Sequence, residues 1–260
     1  MLAGGRGTRL EPIVHDVPKP LVQVAGFPFL QWVASWLIRQ GVSDIVYSAG
    51  YLGDQVETWV REFHAAEFDL AACRQEPTPL GTGGAVLACL DLCQGDVMVV
   101  NGDTLLLAEL DPIVSRFRTE RLDGLIAAVP VTDASRFGKL ECGPDGLLRT
   151  FREKEPGAGL VNGGVSLLTR ASLEAFLPVH VASLEADLLP AMLSRGARIG
   201  VAISEVPFLD IGVPETLARA DEFVATHLAL DSGFALGAYG EPSSSGSTGP
   251  NPRSIRGPLR

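Results

Sequence analysis

The sequence predicts an α/β protein: a doubly wound, mostly parallel sheet carrying a β-rich lid. Three observations point there. Strand-length apolar runs alternate with helix-spaced apolar patterns from the first residue to about position 131, the order that joins parallel strands by crossover helices on both sheet faces. After 131 short strands follow one another across turns such as Pro144-Asp145-Gly146. A chain of 260 residues with 46% hydrophobic side chains is long enough to build a large core without disulfide or metal staples.

Taken in order, the segment 27–40 places Leu30, Val33, Ala34, Leu37 and Ile38 at helical spacing, and Gly41 supplies the stop. A strand at 44–48 follows, then a helix at 53–63, a strand near 69–74, a helix at 82–92, a strand at 97–100, a helix at 112–120 and a strand at 125–131. Beyond them, 138–141, 147–152 and 165–169 read as strands of the lid. Helical spacing resumes at 184–193 and 214–227, with strands near Ile199 and Phe208 between them. One domain over 1–230 is predicted, in halves of about 1–131 and 132–230. From 231 to 260 Gly, Ser and Pro dominate, a composition that buries too little surface to order itself. The glycine run starting at Gly4 leaves only Met1, Leu2 and Ala3 for the first strand, against a usual ~5 to 6 residues. A strand so short predicts a start further upstream or a fragment.

Charge and composition exclude several classes. Acidic residues number 31 against 21 basic, and a net charge of −10 repels a phosphate backbone, so a general nucleic-acid binder is not expected. No apolar run reaches the ~18 residues of a membrane helix, and no basic-then-apolar leader opens the chain. The expectation is a cytoplasmic protein without a membrane partner, with homo-oligomerisation left open. Cys73, Cys89, Cys93 and Cys142 lack the paired spacing of a zinc ribbon and read as free thiols.

Sheets of this kind bind ligands beyond the carboxyl ends of their strands, here the loops 3–10 and 101–104 and whatever lies opposite them. Gly4-Gly5-Arg6-Gly7-Thr8-Arg9-Leu10 fits neither the dinucleotide fingerprint, whose third glycine would fall at Leu10, nor a P-loop. It is either a backbone that wraps an anion or a plain tight turn. Pro18-Lys19-Pro20 then fixes one lysine between two prolines. The chain has only three lysines, Lys19, Lys139 and Lys154, beside 18 arginines. Lysine is therefore spent sparingly, and Lys19 and Lys154 are candidates for sites that need a compact ammonium, as phosphate sites do. Apolar strands deliver Asp103 and Asp210 at their ends, where two acids either clamp a hard cation such as Mg²⁺ or cap the helices that follow. Glu76 precedes a second glycine-rich turn, Gly81-Thr82-Gly83-Gly84, which either lies under a base or ribose or only opens a helix. His15, His64, His180 and His227 read as surface or packing residues.

Together these residues resemble the sugar-phosphate nucleotidyltransferase family, enzymes that join a nucleoside triphosphate to a sugar 1-phosphate. The resemblance runs from Leu2 to about Glu222. It is carried by Leu-Ala-Gly-Gly-Arg-Gly-Thr-Arg-Leu (2–10), Pro-Lys-Pro (18–20), Leu-Gly-Thr-Gly-Gly-Ala (80–85), Asn-Gly-Asp (101–103), Phe-Gly (137–138), Glu-Lys (153–154), Asn-Gly-Gly (162–164) and Asp-Ile-Gly (210–212). Its details, among them Asp-Ala-Ser-Arg-Phe-Gly (133–138) and Ser-Leu-Glu-Ala-Asp-Leu-Leu-Pro (183–190), are similar to the D-glycero-D-manno-heptose 1-phosphate guanylyltransferase branch. Mannose-1-phosphate guanylyltransferases and uridylyl- or thymidylyltransferases are rivals. The family's usual Glu-Lys-Pro is Glu153-Lys154-Glu155-Pro156 here.

The resemblance implies a Rossmann-like nucleotidyltransferase fold whose second half, with the lid, binds the sugar. It implies a nucleotide pocket lined by Leu2, Ala3, Gly4, Gly5, Gly7, Thr8, Arg9, Glu76, Gly81 and Thr82. Arg9, Lys19, Asp103 and Lys154 would be catalytic, Asp103 and Asp210 the Mg²⁺ ligands, and Gly138, Glu153, Lys154 and Asn162 the sugar-phosphate contacts. A nucleotide-sugar-dependent glycosyltransferase would share the architecture, but its acids usually come as Asp-X-Asp, and Asn101-Gly102-Asp103 has one. A non-catalytic homologue that only binds a sugar nucleotide would be expected to lose charged residues that are all present here.

Overall fold

The computed structural model describes residues 1–10, 14–64, 71–152, 155–177 and 182–228. Glu153, Lys154, His180, the first two positions of the strand read at 69–74 and the Gly/Ser/Pro-rich end lie outside the described residues. The elements are, in order, β1 (Gln23–Val24), β2 (Phe27–Pro28), α1 (Phe29–Arg39), β3 (Ile45–Ala49), α2 (Gly53–His64), β4 (Ala71–Gln75), α3 (Gly81–Ala88), β5 (Val97–Val100), β6 (Thr104–Leu106), α4 (Leu110–Thr119), β7 (Gly124–Val131), β8 (Lys139–Cys142), β9 (Leu148–Arg152), β10 (Gly159–Leu168), α5 (Arg170–Glu174), α6 (Leu189–Ser194), β11 (Ile199–Ile203), β12 (Phe208–Asp210), α7 (Pro214–Leu217) and α8 (Ala220–His227).

The main sheet is mixed but mostly parallel. β3 and β4 pair in parallel, and Leu2 bridges β3 at Ser48 and Asn101 just after β5, in parallel with both. β10 runs antiparallel to β5 on one side and to β7 on the other, and β11 joins β7 in parallel. β3, β4, β5, β7 and β11 therefore point one way, and β10 runs against them. The sequence reading placed 165–169 in the lid; the structure instead extends that strand back to Gly159 and runs it through the sheet. Its first half pairs with β8, its second half with β5, and the irregularity between Asn162 and Val165 is the join. The lid is the β8–β9 hairpin carried on the first half of β10.

Strand alternation explains why helices cover both faces. Along β7, Leu125, Ala127 and Val129 enter one core, with Trp36 and Leu37 of α1, Trp59 of α2 and Phe117 of α4. Ile126 and Ala128 enter the other, with Val86 of α3, Leu173 of α5 and Met192 of α6. Each fully buried Leu, Ile or Phe contributes roughly 1.5–3 kcal/mol relative to exposure.

Several helices differ from the sequence reading for local reasons. Phe27 and Pro28 pair antiparallel with β1, so α1 begins at Phe29. The helix read at 184–193 is a π-helical turn, Leu184–Leu188, followed by α6 with a proline in its first turn. Pro190, in the first turn of α6, has no N–H to bond back into the preceding turn. The 82–92 pattern ends as α3 at Ala88 and then a 3-10 turn, Leu90–Leu92, and 214–227 is the pair α7 and α8. All four cysteines are free; burial pushes the Cys73 thiol up to about 11 and also raises Cys89 and Cys93, so these thiols are protonated near neutral pH. Among the described residues no helix is long and apolar enough to cross a membrane.

His64 is a core residue. It shares a 2.8 Å hydrogen bond with the Tyr47 hydroxyl and packs edge-on against Phe63. Burial lowers its pKa from 6.5 to about 4. Between these two values the unfolded chain carries a proton that the folded chain does not, so stability is full above the higher value and falls as pH drops toward the lower. The loss at this site is up to about 3 kcal/mol. Denaturant melts of the wild type and His64→Phe across that window are expected to show the flatter pH profile in the variant.

Candidate active site

Residues 1–3 lie between β3 and β5, held by Leu2 N–H on Val100 O and Ala3 N–H on Ser48 O, each at 2.8 Å. The chain therefore leaves the sheet at Gly4, at the carboxyl ends of its neighbours. A Cβ on Gly4 would stand 2.5 Å from Glu76 Oε1, so only glycine lets the Glu76 carboxylate approach the backbone there. Glu76 is fixed by the Ser48 hydroxyl at 3.1 Å on Oε1 and by Leu80 N–H at 3.0 Å on Oε2. Gly5, Thr8 and Arg9 are exposed on the glycine run, and the Lys19 stem lies against Gly7.

The strongest convergence is at the ends of β5 and β12. Lys19, in the 3-10 turn Lys19–Leu21, donates from Nζ to Asp103 Oδ2 at 2.5 Å, bridging 84 positions of sequence, with only 10% of its side chain exposed. The Thr104 hydroxyl donates to Asp103 Oδ1 at 3.0 Å. Antiparallel pairing of β12 with β6, a strand absent from the sequence reading, sets Asp210 opposite Thr104, and Ile211 N–H bonds Asp103 O at 3.1 Å. Asp210 Oδ1 accepts from Gly212 N–H at 2.7 Å and from Arg136 at 3.0 Å. Burial first, and then the Asp103 carboxylate, raise the Asp210 pKa; Lys19, the Gly212 N–H and Arg136 pull it down. Both acids were candidates for helix capping, yet they bond Lys19, Thr104, Arg136 and the Gly212 N–H.

A second cluster forms at the join in β10. Asn162 Nδ2 donates to Glu185 Oε1 at 2.9 Å, and Asn162 Oδ1 accepts from Gly164 N–H at 2.9 Å. A Cβ on Gly138 would meet Arg152 O at 3.4 Å and Glu185 Oε2 at 3.7 Å, so the Glu185 carboxylate sits beside both predicted sugar contacts. The Thr82 hydroxyl accepts from Leu184 N–H at 2.8 Å, tying α3 to the turn that carries Glu185. Lys139 Nζ donates to Pro156 O at 3.0 Å, a tether inside the lid. Ser48, Arg136 and Glu185 were missed as individual residues. Arg136 and Glu185 lie inside runs that carried the resemblance, and nothing in spacing alone marks them.

The nucleotidyl transferase family model matches residues 1–227. This chain belongs to the nucleotidyl transferase family. It is similar to the D-glycero-alpha-D-manno-heptose 1-phosphate guanylyltransferase of Aneurinibacillus thermoaerophilus, at 31% identity over 85% of this chain and 96% of the relative. The protein of the same name from Campylobacter jejuni is 31% identical over 83% of this chain and 94% of its own. Among solved structures, HddC from Yersinia pseudotuberculosis, also crystallised with GMP-PN, superposes with a TM-score of 0.75 at 31% identity over 85% of this chain and 96% of that one. A putative glucose-1-phosphate thymidylyltransferase from Bacillus anthracis, at 22% identity and a TM-score of 0.76, shares the fold. The protein is thus a nucleotidyltransferase with the Rossmann-like fold that the resemblance implied.

A nucleotidyltransferase must neutralise phosphate charge, and Asp103 and Asp210 are suited to the divalent cation that the family implies. Two carboxylates, one of them raised in pKa by burial and by the other, form a hard oxygen pair whose repulsion a cation would relieve. Among the described residues no third acidic, imidazole or thiol group joins them. A divalent cation held by two carboxylates fills its other positions with water and phosphate oxygens.

Proposed function

We propose that this nucleotidyltransferase transfers a guanylyl group from GTP to D-glycero-D-manno-heptose 1-phosphate, releasing pyrophosphate and forming a GDP-heptose, with Mg²⁺ as its metal and the cytoplasm as its place of work. Such a product would feed nucleotide-sugar and cell-surface polysaccharide synthesis. The observation that carries the reading is the meeting of Lys19, Asp103 and Asp210 at one point. Guanylyl and heptose specificity are supported by the two relatives of that name, each covering more than four-fifths of the chain.

Residue roles follow from charge. An oxygen of the sugar 1-phosphate attacks the α-phosphorus, the bond to the β-phosphate bridging oxygen breaks, and pyrophosphate leaves. The attacking phosphate is already ionised at neutral pH, so no general base is needed. Of the described histidines, His64 is in the core and His227 is exposed, while His15 is exposed on the cavity that Arg6, Gly7 and Lys19 also line. The difficulty is bringing two polyanions together, and the chain answers it with positioning and positive charge. Lys19 and Arg9 hold the triphosphate, Lys154 the sugar phosphate, and Gly4, Glu76 and Gly81 the nucleoside. Asp103 and Asp210 would hold the metal, which supplies charge neutralisation on the phosphate oxygens. Asn162 and Gly138 meet the sugar hydroxyls.

The direct test is pyrophosphate release with Mg²⁺ across GTP, UTP, dTTP, CTP and ATP, each paired with heptose, mannose, glucose and N-acetylmuramic acid 1-phosphates. GTP with the heptose is the expected productive pair. Turnover with GTP and mannose 1-phosphate alone would replace it by the second reading, which a mannose-1-phosphate guanylyltransferase from Mycobacterium tuberculosis, 29% identical over 84% of this chain and 62% of the relative, favours. Glu185→Gln adds a finer check. Removing the charge that Asn162 donates to is expected to raise KM for the sugar 1-phosphate by about tenfold, as for a charge-assisted hydrogen bond, with KM for GTP within about twofold.

A further inference from the structure

The two carboxylates at the site are each already met by a cation of the chain itself. Lys19 Nζ is on Asp103 Oδ2, and the Arg136 guanidinium is on Asp210 Oδ1. Two positive groups face two negative ones, and no further acidic group joins the cluster among the described residues. Arg136 comes from the loop between β7 and β8, 74 positions away from Asp210 in sequence, and its guanidinium also lies 5.3 Å from the centre of the Phe137 ring. Its Nε is buried with no hydrogen-bond partner. A buried, unpaired donor is costly, so a side chain kept in such a place is kept for what its other end does.

Arg136 and Gly212 N–H share the same oxygen of Asp210. The backbone N–H already fixes how that carboxylate is turned, and it does so without charge. What Arg136 adds beyond orientation is one positive charge. We propose that Arg136 is a resident counter-ion of the cation-binding pair, which keeps Asp103 and Asp210 neutralised so that the nucleotide-free protein holds a divalent cation only weakly. A polyphosphate then brings the negative charge that makes cation binding favourable. The inference rests on the reading of Asp103 and Asp210 as the metal-binding carboxylates.

The test uses the full chain without nucleotide, titrated with Mn²⁺ as the probe, the free ion being followed by electron paramagnetic resonance. Arg136→Met removes one like charge next to a divalent ion and is expected to tighten Mn²⁺ binding by about tenfold. Arg136→Lys keeps the charge and loses the planar guanidinium, and is expected to bind within about twofold of the wild type. Melting curves and circular dichroism check the folding of each variant, with Arg136→Gln as a second neutral replacement. Weaker or unchanged binding in both folded neutral variants would overturn the counter-ion role and leave Arg136 as a device for orientation. Adding Asp210→Asn to Arg136→Met is expected to abolish the gain. If Arg136→Met binds more tightly and the gain survives the loss of Asp210, the carboxylate reading itself is wrong, a result distinct from a charge that has no effect.

Discussion

Asp103→Asn is expected to lower kcat for pyrophosphate release by about 10²-fold or more, with the protein still folded. The replacement keeps the size and planarity of the side chain and an oxygen able to accept from the Thr104 hydroxyl. What it removes is the charge, and two partners feel that loss. Lys19, largely buried and 2.5 Å from the other oxygen, Oδ2, loses its ion pair and faces the amide NH2 when the amide oxygen stays on Thr104. Asp210 loses the like-charged neighbour that helps raise its pKa, so the pair becomes a single carboxylate. Steady-state assays over a range of Mg²⁺ concentrations should show both the lower plateau and a higher Mg²⁺ requirement. The β5 and β6 backbone around Asp103 is held by Asn101 N–H on Gly164 O and Gly102 N–H on Leu2 O, bonds that do not use the charge, and melting curves check that the variant is folded. Turnover within about threefold of the wild type at saturating Mg²⁺ would remove Asp103 from the reaction.

How much of this was legible in the sequence depends on what each residue announces locally. α2 was readable because Val56, Trp59, Val60 and Phe63 repeat on one face, and β5 because its run of four apolar residues is bounded by turn formers. β10 was only half readable. Gly159, Asn162, Gly163 and Gly164 look like turn residues, and only pairing with β7, β8 and β5 makes them one strand with an irregularity at its centre. β6 has three residues, too few for periodicity to register, yet it is the strand that places Asp210 beside Asp103. The site shows the same division. Residues whose type is unusual in this chain, such as Lys19 among so many arginines, or an acid after an apolar run, carried a local signal. Arg136 and Glu185 are ordinary residues in loops or turns, and their importance lies in partners that are 74 and 23 positions away. Glu153 rests on the resemblance, and Lys154 on the resemblance and the scarcity of lysine, since both lie outside the described residues.

Gly81→Ala is expected to cost on the order of 3–5 kcal/mol and about 10 °C in Tm. Two effects add. Gly81 has φ +71°, the left-handed region, where a Cβ costs roughly 1–2 kcal/mol. The Cβ would also stand 2.0 Å from Ala182 O and 2.7 Å from its carbonyl carbon, so one backbone segment must move away from the other. That carbonyl accepts from Gly83 N–H at 3.1 Å, and the Thr82 hydroxyl bonds Leu184 N–H, so the start of α3 and the turn carrying Glu185 are stitched together here. Pushing them apart displaces Glu185 from Asn162, and KM for the sugar 1-phosphate should rise in whatever fraction remains folded. Gly26→Ala separates the two effects. Gly26 has φ +85° with nothing within 4 Å of an added Cβ, so that variant is expected to lose only about 1–2 kcal/mol. Thermal melts of the pair decide the matter: a Gly81 variant clearly below the Gly26 variant assigns the difference to the Ala182 contact. Equal losses would mean that the contact between the two segments yields at little cost and that backbone conformation alone sets the requirement for glycine.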